Sequence, residues 1–335
     1  MKKYNFAIYG CGMIANIHAD AIKSLDEAKL VAVADVNMSS ATAFAQKHET
    51  AAYTDFNALL EDENIDVICL CTPNGTHAEL ALKALEYGKN VVTEKPMAIT
   101  TGDCDRMIEA TQKSSGKLMV ISQLRTAPDI IKAKEIVESG VLGKIVLCDL
   151  HMKYYRSEEY YKGSWKGTLA MDGGGALMNQ GIHGIDLLQY IVGPVKNIKS
   201  IVKTLVHNIE VEDTAVSAVE FENEALGVIE ATTAAYPGFD REIKICGSKG
   251  YMEIRENCIE KLFVDGVMQD CEKYTSLGAA SDPTKLAFRE HANQFLTLIR
   301  VLNGEEAEYV NEYERRKAVD IIARIYKAIK TPKCL

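Results

Sequence analysis

Short apolar runs recur through the first third of the chain, each separated from the next by a segment with helical spacing. The runs are residues 5–10 (NFAIYG), 29–35 (KLVAVAD), 66–72 (DVICLCT), 90–95 (NVVTEK) and 117–122 (KLMVIS). Between them lie MIANIHADAIKSL, HAELALKALEYG and CDRMIEATQKS, whose apolar residues return every three or four positions. Near-continuous apolar strands that alternate with helices predict a parallel sheet covered on both faces. Right-handed crossovers then wind it on both sides, an α/β architecture. The pattern changes after residue 122. KIVLCDLHMKYY, IKSIVKTLVH, TAVSAVEFE, ALGVIEATTA and EIKICGS are strand-like, with few helices between. That predicts an α+β domain with a strand-rich sheet. REHANQFLTLIRVL and YERRKAVDIIARIYKAI close the chain as helices. The division is placed at 1–122 and 123–335, a length of 335 residues being too great for one ordinary core.

The first turn of the predicted sheet is GCGMIA, with Gly10, Gly12 and Ala15 in a G-x-G-x-x-A pattern and Met13 and Ile14 opening the helix. Gly10 permits a tight turn, Gly12 a close backbone approach to a pyrophosphate, and Ala15 close helix–strand packing. The helix start favours an anion. Asp35 ends the second strand, where the dinucleotide fingerprint needs an acid for the ribose hydroxyls. A carboxylate there repels a 2′-phosphate, and VNMSS offers no cation to hold one, so NAD is expected over NADP.

Three further stretches fall at the carboxyl edge of the sheet or just beyond it. TPNGTH places Thr72 and Asn74 toward the cofactor, with His77 opening the next helix; a turn that caps that helix is the alternative. NVVTEKP ends a strand on Glu94 and Lys95, stiffened by Pro96. An ammonium there suits a reacting hydroxyl and its developing negative charge. Glu94 is read as a cofactor contact or as the lysine's ion-pair partner. SQLR adds Gln123 and Arg125.

In order, GCGMIA, TPNGTH, EKP and GGGALMNQGIHGIDLL (residues 173–188) resemble the Gfo/Idh/MocA family, which includes glucose–fructose oxidoreductase, inositol dehydrogenase and many sugar dehydrogenases. The resemblance covers the whole chain. It implies an N-terminal Rossmann domain. It also implies a C-terminal α+β domain whose large open, mainly antiparallel sheet forms the oligomer interface, so a homodimer or homotetramer is expected. It makes His183 the acid/base that works with Lys95, while Asn179 stands where inositol dehydrogenase-like members carry aspartate. An amide orients by hydrogen bonds but takes no proton. Asn179 and His183, four apart, are expected on one helix face, and the three glycines to crowd a ligand. Asp186 is either a partial substitute for the missing acid or a packing residue. Arg125 is similar to a family arginine near the substrate, with an interdomain salt bridge as the alternative. Trp165 and Lys166 in GSWKG stand where relatives carry a cofactor-contacting Trp-Arg, and the tyrosine-rich stretch around Tyr155 suits sugar recognition.

The reading is thus an NAD-dependent dehydrogenase acting on a secondary alcohol of a sugar, nucleotide sugar or cyclitol. The alternatives within the superfamily are an NAD-dependent glycoside hydrolase and a non-catalytic nucleotide sensor. Composition narrows the partners. A net charge of −9 with no basic stripe argues against nucleic acid. No apolar run approaches a membrane span. Nine scattered cysteines without a C-x-x-C pair fit reduced thiols in the cytoplasm and no metal site.

Overall fold

The computed structural model describes residues 2–271, 288–307 and 309–329. It divides into two compact units, Met1–Gln123 with Leu286–Arg316, and Leu124–Lys285 with Lys317–Leu335.

The chain opens with β1 (Tyr4–Tyr9), α1 (Met13–Lys23), β2 (Ala28–Ala34), α2 (Met38–His48), β3 (Ala51–Tyr53) and α3 (Phe56–Glu61). It continues through β4 (Val67–Leu70), α4 (His77–Glu86), β5 (Asn90–Thr93), α5 (Thr101–Lys113) and β6 (Leu118–Val120). Next come α6 (Pro128–Glu138), β7 (Ile145–Lys153), α7 (Glu158–Tyr161), a π-helical turn over Ala176–Gly181 and α8 (Ile182–Val192). Strands β8 (Val195–Lys203), β9 (Thr214–Phe221), β10 (Leu226–Thr232) and β11 (Glu242–Gly247) follow. The last elements are β12 (Gly250–Arg255), β13 (Cys258–Val264), β14 (Val267–Gln269), α9 (Arg289–Leu302) and α10 (Glu312–Ile329).

In the first unit six strands pair in parallel in the order β3-β2-β1-β4-β5-β6. This is a doubly wound sheet whose strand order reverses between β1 and β4, the crevice where open α/β sheets bind ligands. All four residues of β4 are buried, as a strand covered on both faces requires. The short β3, with two of its three residues exposed, carried no apolar signal and was not expected.

The expected cut after residue 122 leaves out one element. Leu286–Arg316 belongs to the first unit because α9 packs on α1 and the sheet. Phe295 lies 5.7 Å from the ring of Phe6 and 5.3 Å from that of His18, and Gln294 Oε1 accepts the Ser122 N–H at 2.8 Å.

The second unit holds an eight-stranded sheet, β14-β13-β12-β11-β7-β10-β9-β8. Only the β7–β10 pair is parallel. Strand β9 alternates, with Ala215, Ser217, Val219 and Phe221 buried and Val216 and Ala218 exposed. One face of this sheet therefore packs inward and the other is open, as antiparallel sheets allow.

Candidate active site

The glycine-rich turn is built by contacts between strand ends. Gly10 has φ +96°, and a Cβ there would fall 2.6 Å from the Cys71 carbonyl oxygen at the end of β4, so only glycine fits. Its N–H donates to Ala34 O at 2.8 Å, tying β1 to β2. Asp35 then accepts the Cys11 N–H at 2.8 Å on one oxygen and the Asn37 N–H at 2.8 Å on the other. The acid at the end of β2 thus shapes the turn as well as facing outward, half-exposed. Helix α1 starts at Met13 and Ile14 with no side-chain cap and no acid in its first turn. A Cβ on Gly12 would meet nothing within 4 Å. An uncapped helix start beside open space is a fitting seat for a pyrophosphate.

In the loop after β4, Thr76 Oγ1 lies 2.7 Å from both Thr72 Oγ1 and the Pro73 carbonyl, and Asn74 is buried. His77 is fully buried, with Nδ1 2.8 Å from Pro96 O and Nε2 3.0 Å from Thr72 O. Burial pushes its pKa down, against the pull of those two carbonyls. His77, expected toward the cofactor or as the start of the next helix, has a structural role in these contacts. It staples the Thr72 loop to the turn that follows Lys95.

Lys95 follows β5 at the carboxyl edge, half-buried, and its bond to Pro96 is cis. The neighbouring Glu94 was expected to touch the cofactor or the lysine's charge. Its buried carboxylate accepts from His18 Nε2 at 2.8 Å and lies 3.5 Å from His291 Nε2. Of Lys95 it takes the backbone N–H, at 3.2 Å. Burial alone would raise the Glu94 pKa, but the two imidazoles outweigh it and hold the carboxyl well below its ordinary value. Burial keeps His18 below its own, neutral and donating. Gln123 is buried in the 3₁₀ turn Gln123–Thr126 that follows β6.

In the second unit the glycine block leads into a π-helical turn that starts at Ala176. The Glu212 carboxylate accepts the N–H groups of Gly175 and Leu177, each at 2.9 Å, and the Tyr326 hydroxyl at 2.9 Å. Burial raises its pKa despite those donors. A Cβ on Gly174 would strike the Tyr326 hydroxyl at 2.2 Å, and one on Gly175 the Glu212 carbonyl at 1.7 Å. These glycines are crowded by the protein itself, which corrects the expectation that a ligand crowds them. The turn Ala176–Gly181 is π-helical and gives way to α8, so Asn179 and His183 lie on either side of a change in helix type. Asn179 Nδ2 donates to the buried Asp172 at 2.6 Å. His183 is half-buried near the start of α8.

Arg125, expected near the substrate or in a salt bridge, is found in an ion pair. Its Nε and Nη2 grip Asp186 at 2.8 and 2.6 Å, both side chains buried, and its guanidinium lies 4.5 Å from the Tyr190 ring centre. The pair gives Asp186 a packing and charge-pairing role, and the bridge lies within the second unit. Tyr155 stacks edge-on with Tyr236, ring centres 5.2 Å apart. The Lys166 ammonium sits 3.7 Å from the Tyr160 ring centre, its pKa lowered by burial against the pull of Asp172. Trp165 is half-buried just before it.

Residues 4–122 match the oxidoreductase family with an NAD-binding Rossmann fold, and residues 130–253 match the C-terminal domain of the same family. The chain belongs to the Gfo/Idh/MocA family. Among its relatives is a myo-inositol 2-dehydrogenase of Thermotoga maritima, 32% identical over 72% of this chain and 72% of that protein. An inositol 2-dehydrogenase of Salmonella typhimurium is 28% identical over 74% and 72%. The WlbA dehydrogenase of Bordetella pertussis, solved with NADH and UDP-GlcNAcA, superposes with a TM-score of 0.88 at 29% identity over 98% of this chain and 95% of that one.

As a Gfo/Idh/MocA oxidoreductase this protein uses NAD, and the first turn has the residues to hold it: Gly10, Gly12, Met13, Ile14 and Asp35. Sequence reasoning missed Asp172, Glu212 and Tyr326. Asp172 stands immediately before the three glycines, so an acid at the head of a glycine block was a usable signal. Glu212 and Tyr326 lie far along the chain from the turn they build, and no local pattern marks them.

Proposed function

We propose that the protein oxidises a secondary alcohol of a sugar, nucleotide sugar or cyclitol, with Lys95 binding the reacting hydroxyl and His183 removing its proton. NAD supplies the hydride acceptor. The observation that carries the reading is the place of Lys95. It is half-buried at the carboxyl end of β5, one strand from the β1/β4 crevice, and its turn is tied down through Glu94 and His77. A fixed ammonium stabilises the alkoxide character that grows as the C–H bond breaks, more in the transition state than in the ground state. A His183 ring nitrogen takes the hydroxyl proton. Asn179, with its amide nitrogen on Asp172, presents an acceptor oxygen that orients a substrate hydroxyl.

Thr72, Asn74, Gln123, Trp165 and Lys166 complete the cofactor contacts in this proposal, and Tyr155 lies on the substrate side. Asp35 favours NAD over NADP. The names of the relatives, for myo-inositol and for a nucleotide-sugar acid complex, support the substrate class. The open sheet face around Val216 and Ile201 is the contact between copies in a homodimer or homotetramer. A cytoplasmic setting suits the eight described cysteines, none of which forms a disulfide. No described helix is long and apolar enough to cross a membrane. The test is a screen of cyclitols, sugars and nucleotide sugars with NAD, followed by NADH absorbance. NADH formation with one class supports the reading. Released monosaccharide without NADH points to glycoside hydrolysis, and tight NAD binding without turnover on any of them to a sensor.

A further inference from the structure

We propose that His18, Glu94 and His291 bind one first-row divalent cation of the zinc(II) kind inside the first unit. The three residues come from α1, the end of β5 and α9, and one ligand atom of each lies within 4.8 Å of the others. Ligand atoms around a tetrahedral zinc, with bonds of about 2.0–2.1 Å, stand roughly 3.3 Å apart. The observed 2.8 Å from His18 Nε2 to Glu94 Oε1, and 3.5 Å from His291 Nε2 to the same oxygen, bracket that spacing.

A second observation is independent of the cluster's composition. His291 is 1% exposed, and neither of its ring nitrogens has a hydrogen-bond partner. A buried polar ring left unsatisfied calls for an unseen occupant. A cation between the three groups gives His291 Nε2 its partner and offsets a buried carboxylate. Two imidazoles with one carboxylate suit zinc, iron, cobalt or nickel.

All three side chains are buried, so this is a structural clasp and not a catalytic centre. It joins α9 to the strand end that carries Lys95. The Nδ1 atoms of both histidines lack hydrogen-bond acceptors. Such outer-shell partners typically raise metal affinity about 10–100-fold, so a moderate affinity is expected.

The experiment uses the full-length, tag-free protein. Metal content as isolated is measured by mass spectrometry, and the chelator-stripped protein is titrated with Co²⁺ alone and then displaced with Zn²⁺. About one metal per chain, or a saturable visible band of tetrahedral cobalt that Zn²⁺ abolishes, is expected. Both signals should be lost in His291→Ala, which leaves the His18–Glu94 hydrogen bond in place, and in Glu94→Gln. Circular dichroism checks that the variants fold, and His18→Asn serves as a replacement for either that does not. Protein that carries no stoichiometric metal and shows no saturable cobalt band overturns the proposal and leaves the triad a purely hydrogen-bonded clamp. So does a band that persists in all variants.

Discussion

The nucleotide turn and the histidine helix are both glycine-rich, yet they are held by opposite means. Gly10, Cys11 and Asp35 fall within one strand–helix–strand unit, and their bonds run between adjacent strand ends. The block from Gly173 to His183 is held by Glu212 and Tyr326, which arrive from distant parts of the chain. In the first turn Gly12 leaves open space for a ligand, whereas Gly10, like Gly174 and Gly175, leaves room for the protein. A motif closed by local geometry is readable as a motif. One closed by long-range contacts shows only that something small is needed.

The comparison is broken most severely at the chemical groups each region presents. His183→Ala is expected to lower turnover by about 10²–10⁴-fold, as for loss of a general acid/base, with NAD affinity nearly unchanged. Equal losses in NAD affinity and folding would make His183 a packing residue. Lys95→Met keeps the stem and removes the charge. Turnover is expected to fall at least ~10²-fold while the variant folds and binds NAD; near-normal rates would remove Lys95 from the chemistry.

Glu212→Gln tests the long-range closure itself. An amide offers one acceptor where the carboxylate now serves two N–H groups and a hydroxyl, so one buried donor loses its partner. A destabilisation of about 1–3 kcal/mol is expected, read by denaturant titration, with NAD binding unaltered. Loss of NAD binding would show that the two regions are not separable. Asp35→Ser tests the local closure. Titrations with NAD and NADP should show the preference for NAD narrowing, and an unchanged ratio would remove Asp35 from cofactor choice.

The smallest effect concerns His77. Its folded pKa lies below the ordinary 6.5, so the unfolded chain binds the proton first as pH falls. Stability from this group is full above 6.5 and declines as pH drops toward the folded value. The melting temperature of His77→Gln, lower at neutral pH, should therefore change less than that of the parent between about pH 7.5 and 5.5. Parallel slopes would assign the acid sensitivity to other groups.

The chain's own order of residues determined a good deal. Apolar runs separated by helical periods specify a parallel sheet, because strands buried on both faces cannot alternate. G-x-G-x-x-A followed by Asp35 specifies the nucleotide turn, because its hydrogen bonds connect neighbours in the β-α-β unit. EKP marked Lys95 as a charge held at a strand end. Tertiary structure decided the rest. The side chain of Glu94 was equally compatible with a ribose, a lysine or a histidine until α1 and α9 brought His18 and His291 beside it. Arg125 and Asp186 are 61 residues apart, and no pattern in either segment announces that each neutralises the other in the core. His77 and Glu212 likewise act on backbone groups whose positions exist only once the fold has formed. Periodicity and spacing report which face of an element is buried. They do not report what lies across from it, because that is set by contacts between elements far apart in the chain.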